Sequence, residues 1–206
     1  MAHEHPVSAT TRRGPSEHAI RDQIVTAAND YFSHFGYGKT TMNDLAKSIG
    51  FSKAYIYKFF DSKQSIGEAI CSQQLAKIST AAEEAFSSNR LASHKLRSYF
   101  QTIIEKNVEL FFVDRQLYDI ATHSTSENWP SSVAHAQRLE QVLESIIIGG
   151  RESGEFEKKT PIDETCRAIV QAMQPFFHPA MLEHNLAAVP NGSNEVISLI
   201  LRSLAP

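Results

Sequence analysis

Cysteine is close to absent: Cys71 and Cys166 stand alone in 206 residues, 95 positions apart and without a CxxC pair or a Cys/His cluster. That argues against a disulfide framework and against a zinc site; both thiols fit better as small buried apolar residues than as redox sensors. Long apolar runs are absent too. No stretch approaches the roughly 18 uninterrupted apolar residues of a membrane span, and the polar start Met1 to Ser16 lacks the apolar centre of a signal peptide. The chain is therefore expected in the cytoplasm, with no membrane partner. Strict apolar/polar alternation is missing, which removes the support for a sheet. A nucleophile elbow, a phosphate loop and a His/Asp pair at useful spacing are also missing. The nine histidines are scattered, and neither an enzyme nor a cofactor follows from them.

What is present is an ordinary globular composition, 42% hydrophobic and 21% charged. The net charge of −3 conceals an asymmetry: residues 1–66 carry eight Lys/Arg against six Asp/Glu, and residues 67–206 carry twelve against seventeen. Between Lys39 and Lys63 the balance is five lysines to two aspartates, where contact with a polyanion would be sought. The first 15 residues have no periodicity and read as a disordered arm. From Ile20, the positions Ile24, Ala27, Ala28, Tyr31, Phe32 and Phe35 follow the 3-and-4 spacing of one helical face, ended by Gly36 and Gly38. Similar spacing predicts helices over about Ser65–Ser87, Leu91–Val113, Ser132–Glu152, Ile162–Phe177 and Ser193–Leu204. Breakers such as Trp129-Pro130, Gly154 and the Pro190, Asn191, Gly192 turn separate several of them.

The informative stretch is Thr41 to Phe60. Thr41 and Asp44 fit a capping arrangement that starts a second helix. Met42, Leu45, Ala46 and Ile49 form its inner face, and Gly50 ends it. Ser52 can cap a third helix, whose inner face is Ile56 with Phe59. A helix-turn-helix needs a small residue where its helices cross, a glycine four positions on, and a branched apolar residue six beyond that. Ala46, Gly50 and Ile56 meet all three conditions, so the stretch is read as DNA-binding rather than as an ordinary helical hairpin.

The run Phe35-Gly36-Tyr37-Gly38-Lys39-Thr40-Thr41, then Asp44-Leu45-Ala46, and above all Gly50 through Lys63, resembles the DNA-binding domain of TetR-family transcription regulators. The resemblance covers residues 17–66. One departure is Phe59-Phe60, where the family usually has Tyr or His first. The resemblance implies a homodimer that sets one recognition helix, about Lys53 to Phe59, in the major groove of each operator half-site. It implies that Thr41, Tyr57 and Lys63 touch phosphates and that Ser52, Lys53, Ala54 and Tyr55 lie near base edges. The chemistry agrees: Thr41 and Lys63 stand at helix starts, which favour anions, and Lys53, Tyr55, Tyr57 and Lys58 oppose Ile56 and Phe59. Arg12 and Arg13 suit either a minor-groove arm or a solvated tail.

The expected fold is all-α: an arm over 1–15, a three-helix DNA-binding domain over 16–64, and a helical-bundle ligand-binding and dimerisation domain over 65–206. Ile169, Val170, Met173, Val196, Ile197 and Ile200 offer apolar surface for self-pairing. The resemblance implies a ligand cavity for a small, mostly apolar effector, without a cofactor. The residues expected around it are Phe100, Ile104, Asn107 and Phe111 on one helix and Tyr118, His123 and Trp129 in a turn-rich segment. Asn107 fits an edge amide as well as a ligand contact, and Trp129 fits a core plug as well as a pocket wall. A repressor released by its effector is the expected function; a regulator without ligand response, or a small helical enzyme, are the alternatives.

Overall fold

The computed structural model describes residues 16–87 and 90–206; the arm 1–15, with Arg12 and Arg13, lies outside the described residues. Among the described residues the chain forms helices and no strand. Helix α1 (Glu17–Phe35) opens on Ser16, whose hydroxyl accepts from the Ala19 amide at 3.3 Å, and ends at Gly36. Helix α2 (Met42–Ile49) begins with a reciprocal box: Thr41 Oγ1 accepts from the Asp44 amide at 3.3 Å and Asp44 Oδ2 accepts from the Thr41 amide at 3.0 Å. Two amides that a helix start would leave without partners are satisfied this way. Gly50 then turns the chain at φ +75°, a left-handed conformation in which a Cβ would be strained. Helix α3 (Lys53–Ile56) is capped by Ser52 Oγ, which accepts from the Tyr55 amide at 3.1 Å.

Helix α3 is shorter than the spacing predicts. Beyond Ile56 the hydrogen bonds tighten, with the Phe59 and Phe60 amides both donating to the Ile56 carbonyl at 2.9 and 3.1 Å. The tightening shifts the register of the inner face. Phe60 is sealed in the core at 1% exposure, whereas Phe59, expected there, is only partly buried. Arg21 braces the turn, its guanidinium 4.1 Å above the Phe60 ring and donating to the Phe59 carbonyl at 2.7 Å.

Among the described residues seven further α-helices follow: α4 (Lys63–Ser87), α5 (Ala92–Val113), α6 (Arg115–Ser126), α7 (Pro130–Ser153), α8 (Ile162–Phe177), α9 (Pro179–Asn185) and α10 (Asn191–Ser203). The four long helices and the shorter last one expected from apolar spacing lie within a few residues of their predicted bounds. Helix α6 occupies much of the segment expected to be turn-rich. It starts at Asp114, whose carboxylate accepts from the Leu117 amide at 3.0 Å, and it buries Leu117, Tyr118, Ile120 and Ser124.

Two apolar clusters hold these helices together, and α4 runs through both. Its first half contributes Ile66, Ile70 and Cys71 to a cluster with α1, α2, Ile56 and Phe60, which also takes in Leu117, Ile120 and Trp129. Its second half contributes Ile78 and Ala82 to a cluster built on α5, α7, α8 and α10. Ile169, Met173, Ile197 and Ile200, expected to meet a second copy, are buried in this second cluster. Of its large apolar residues α10 turns Leu199 outward, 59% exposed, beside Glu195 and Arg202, and α8 presents the small residues Ala168 and Ala172 along with Arg167 and Gln171.

Candidate nucleic-acid interface and ligand cavity

The short α3 owes its shape to caps and to one anchor. Ile56, fully buried, ties it to α1 and α2, and this leaves Ser52, Lys53, Ala54, Tyr57 and Lys58 exposed as a group. Tyr55 stands differently. Its ring lies between Phe51 and Phe59, with centroids 5.1 and 5.4 Å away, and Lys58 Nζ lies 5.6 Å from it. Lys39 and Lys47 are also exposed nearby in sequence. Thr41 is exposed, and its hydroxyl donates to Asp44 Oδ2 at 2.6 Å. That bond holds the Asp44 carboxyl below its ordinary pKa, the hydroxyl contributing most.

Lys63 differs most from its expected situation at an exposed helix start. Its ammonium donates to the carbonyls of Tyr37 and Thr40, each at 2.9 Å, and lies 4.2 Å from the Tyr37 ring. Burial lowers its pKa. The side chain therefore acts as a brace between the α1–α2 turn and the start of α4, with two of its three ammonium donors engaged within the protein.

Tyr37 continues this brace away from α3. Its ring meets Trp129 edge-on at 5.6 Å and His123 at 5.5 Å. Gly67 lies beneath them: a Cβ there would come within 3.0 Å of both the Trp129 and Tyr37 rings. The Trp129 Nε1 donates to Glu127 Oε2 at 2.8 Å, and its ring is 1% exposed. Trp129 is thus a core plug, and His123 pairs with Glu127 at 3.1 Å on the surface.

A cavity of about 90 Å³ lies farther along, between α4, α5, α6, α7 and the α8–α9 corner. One water needs roughly 10–15 Å³ on this measure, so there is room for a small organic molecule. Of the residues expected around a ligand, Asn107 lines it. Phe100 and Ile104 belong to the second apolar cluster. Phe111 packs edge-on against Tyr118 at 4.9 Å, and the Tyr118 hydroxyl donates to the Pro179 carbonyl; burial pushes that phenol up to about 12. The apolar stripe of α5 faces inward as its spacing predicts, but one face of a helix spans both core and cavity.

The polar groups at the cavity do not stand out in the sequence. Ser124, Thr125 and Ser132 come from α6 and α7, His135 from α7, and His178 from the corner after α8. Ser79 Oγ bonds His135 Nδ1 at 3.2 Å, and burial pushes that ring's pKa down to about 4. His178 Nδ1 is buried without a hydrogen-bond partner, and burial lowers its pKa as well. The readable signal is a set of small polar residues and a histidine interrupting otherwise apolar helix faces.

Among known proteins, a family model described as bacterial regulatory proteins, tetR family, matches residues 24–70. A second, described as the tetracyclin repressor-like C-terminal domain, matches residues 92–189. The chain is similar to the HTH-type negative transcriptional regulator IcaR of the biofilm operon icaADBC of Staphylococcus aureus, 47% identical over 49 residues. That match covers 24% of this chain and 26% of the relative, so it spans about a quarter of each. The fold is similar to the TetR family regulator PfmR from Thermus thermophilus, at TM-score 0.59 and 25% identity over 89% of this chain and 99% of that one. It is also similar to the regulator FadR from Bacillus subtilis in complex with stearoyl-CoA, at TM-score 0.65 and 20% identity over 89% and 98%.

Proposed function

Because the chain belongs to the TetR family of transcription regulators, we propose that it is a homodimeric repressor that binds an inverted-repeat operator and is released by a small molecule. Residues 16–64 read the DNA and residues 65–206 bind the effector and pair the subunits. The observation that carries this proposal is the exposed group Ser52, Lys53, Ala54, Tyr57 and Lys58, held outward by the buried Ile56. Two copies of that group related by a two-fold axis would meet equivalent base edges in two half-sites, about one helical turn apart or a multiple of it.

Lys53 and Tyr55 are assigned to the groove floor, and Thr41, Tyr57 and Lys58 to its phosphate rim. Selection of bound genomic fragments supplies the operator, and salt titrations on operator and scrambled duplex supply the test. Lys53→Ala should cost about 1–3 kcal/mol on the operator, with relaxed preference at particular base pairs and little change on scrambled DNA. Tyr55→Phe keeps the ring packing and should relax preference in the same way. Lys58→Ala should weaken both duplexes alike and flatten the slope of log affinity against log salt by roughly one unit. Equal losses on both duplexes for Lys53→Ala would refute the assignment.

Leu199 on α10 and the small face of α8 support pairing of two copies, because exposed leucine beside a flat helix surface buries readily against its own symmetry mate. Leu199→Glu should convert a dimer to monomers in light scattering at micromolar concentration and abolish tight operator binding. A wild-type chain that is already monomeric would overturn this part. The effector is expected in the cavity between α4 and α7, where binding that favours one conformation need supply only about 1.4 kcal/mol of coupling for a tenfold loss of operator affinity.

A further inference from the structure

We propose that the cavity takes an uncharged, mostly apolar molecule bearing a hydroxyl group, a phenol or an alcohol, whose hydroxyl partners the His178 imidazole. This rests on the ligand-responsive reading of the same cavity and adds the chemical class of the ligand. Charge decides the first part. None of the described residues lining the cavity is Asp, Glu, Lys or Arg, so an ionised ligand would lose its hydration without gaining an opposite charge, at a cost of several kcal/mol. The two histidines do not change this: burial lowers the pKa of each ring, so at neutral pH they offer hydrogen bonds and no positive charge.

Hydrogen-bond capacity decides the second part. The lining hydroxyls direct their protons into the protein. Ser124 donates to the Ala121 carbonyl at 2.9 Å, Thr125 to the Thr122 carbonyl at 2.9 Å, and Ser132 to the Ser124 or Trp129 carbonyl at 2.9 Å. Asn107 Nδ2 donates to the Ile103 carbonyl at 2.8 Å, which leaves its Oδ1 without a donor. What these groups retain for a ligand is mainly lone pairs, which favours a ligand that brings a donor, while the Gln74 amide, whose Oε1 accepts from Lys77 at 3.5 Å, can donate to a ligand oxygen. His178 lines the cavity and makes no side-chain hydrogen bond; its Nδ1 is closed even to a water-sized group, which leaves Nε2 as the ring nitrogen a ligand can meet. A hydroxyl can donate to that nitrogen or accept from it and therefore suits either tautomer, whereas a carbonyl suits only one. His178, Thr125, Ser132 and Ala136 also line an outer groove with Val133 and Gln137. The imidazole thus stands between the surface and the cavity, on the route an entering molecule would take.

A matched set of probes tests the assignment: toluene, 4-methylphenol, 4-methylbenzoate and 4-methylbenzylammonium, titrated calorimetrically into the full chain at pH 7.5. The expected result is that 4-methylphenol binds at least tenfold more tightly than toluene and that neither ion binds measurably. His178→Phe should erase the advantage of the phenol while toluene still binds, and His178→Asn, which keeps a donor and an acceptor, should retain part of it. Tighter binding of the carboxylate, equal binding of toluene and phenol, binding of no probe, or a phenol advantage that survives His178→Phe would each overturn the inference. If 4-methylphenol binds as expected but leaves the operator complex intact on a gel, the ligand-responsive reading fails and this assignment stands.

Discussion

Replacing Trp129 by alanine should lower the stability of the fold by about 3–5 kcal/mol, the range for truncating a large buried aromatic. The indole is 1% exposed, sits against Gly67 and meets the Tyr37 ring edge-on, so its loss leaves a void where three helices and the α1–α2 turn converge. For a chain of this size each kcal/mol moves the melting temperature by roughly 2–4 °C, so the drop should be roughly 6–20 °C. Operator affinity should fall further than the unfolded fraction explains, because Tyr37, whose carbonyl holds Lys63, loses its support. The measurement is thermal unfolding beside duplex binding at a temperature where both proteins are folded. A loss of effector affinity with an unchanged melting temperature would mean that Trp129 lines a ligand site instead.

His135 should make stability fall as the solution is acidified from about pH 6.5 to about pH 4. In the unfolded chain the imidazole takes a proton near its ordinary value of 6.5, but in the fold burial delays protonation to about 4. Between those values the unfolded state binds more protons, so the stabilisation is complete above the upper limit, declines through the window and is gone below the lower one. A shift of this size corresponds to at most about 3 kcal/mol. Glu155 and Glu157, whose hydrogen bonds hold their carboxyls low, add a decline in the same direction at the acid end. The informative quantity is therefore the difference between the parent and His135→Gln in denaturant unfolding at pH 7, 5.5 and 4. The variant should lack most of the slope between pH 6.5 and pH 5; parallel curves would show that the ring takes its proton in the fold as readily as in the unfolded chain.

The helix-turn-helix was legible because its determinants are local. Thr41 with Asp44, Gly50 at positive φ, and Ser52 at the start of α3 each act within a few residues, and capping chemistry depends on little else. Long amphipathic helices were legible for the same reason. The Phe59/Phe60 register was not, because it depends on two amides sharing the Ile56 carbonyl, a distortion that periodicity does not encode. Helix α6 was hidden by its brevity and by the threonines and serines around its buried positions, although Asp114 was a fair start signal. The cavity was harder still. Apolar spacing tells which face of α5 turns inward, yet whether Phe100 or Asn107 meets empty space depends on α4, α6 and α7, far off in sequence.

Trp129, Leu117 and Ile120 complete the apolar cluster that also contains Ile24, Phe32, Leu45 and Ile56. The segments matched by the two family models, residues 24–70 and 92–189, thus share a single interior, which sets a rule for anyone wishing to exchange heads between relatives. A chimera joined at the seam between them would set a foreign Tyr37 and Ile66 environment against an indole shaped for another partner, with the overpacking or voids that follow. A workable graft would carry Leu117, Ile120 and Trp129 along with the head. By the same token, change at exposed residues such as Lys53 is free to proceed, while change at the Tyr37–Gly67–Trp129 contact must be matched on both sides of the seam.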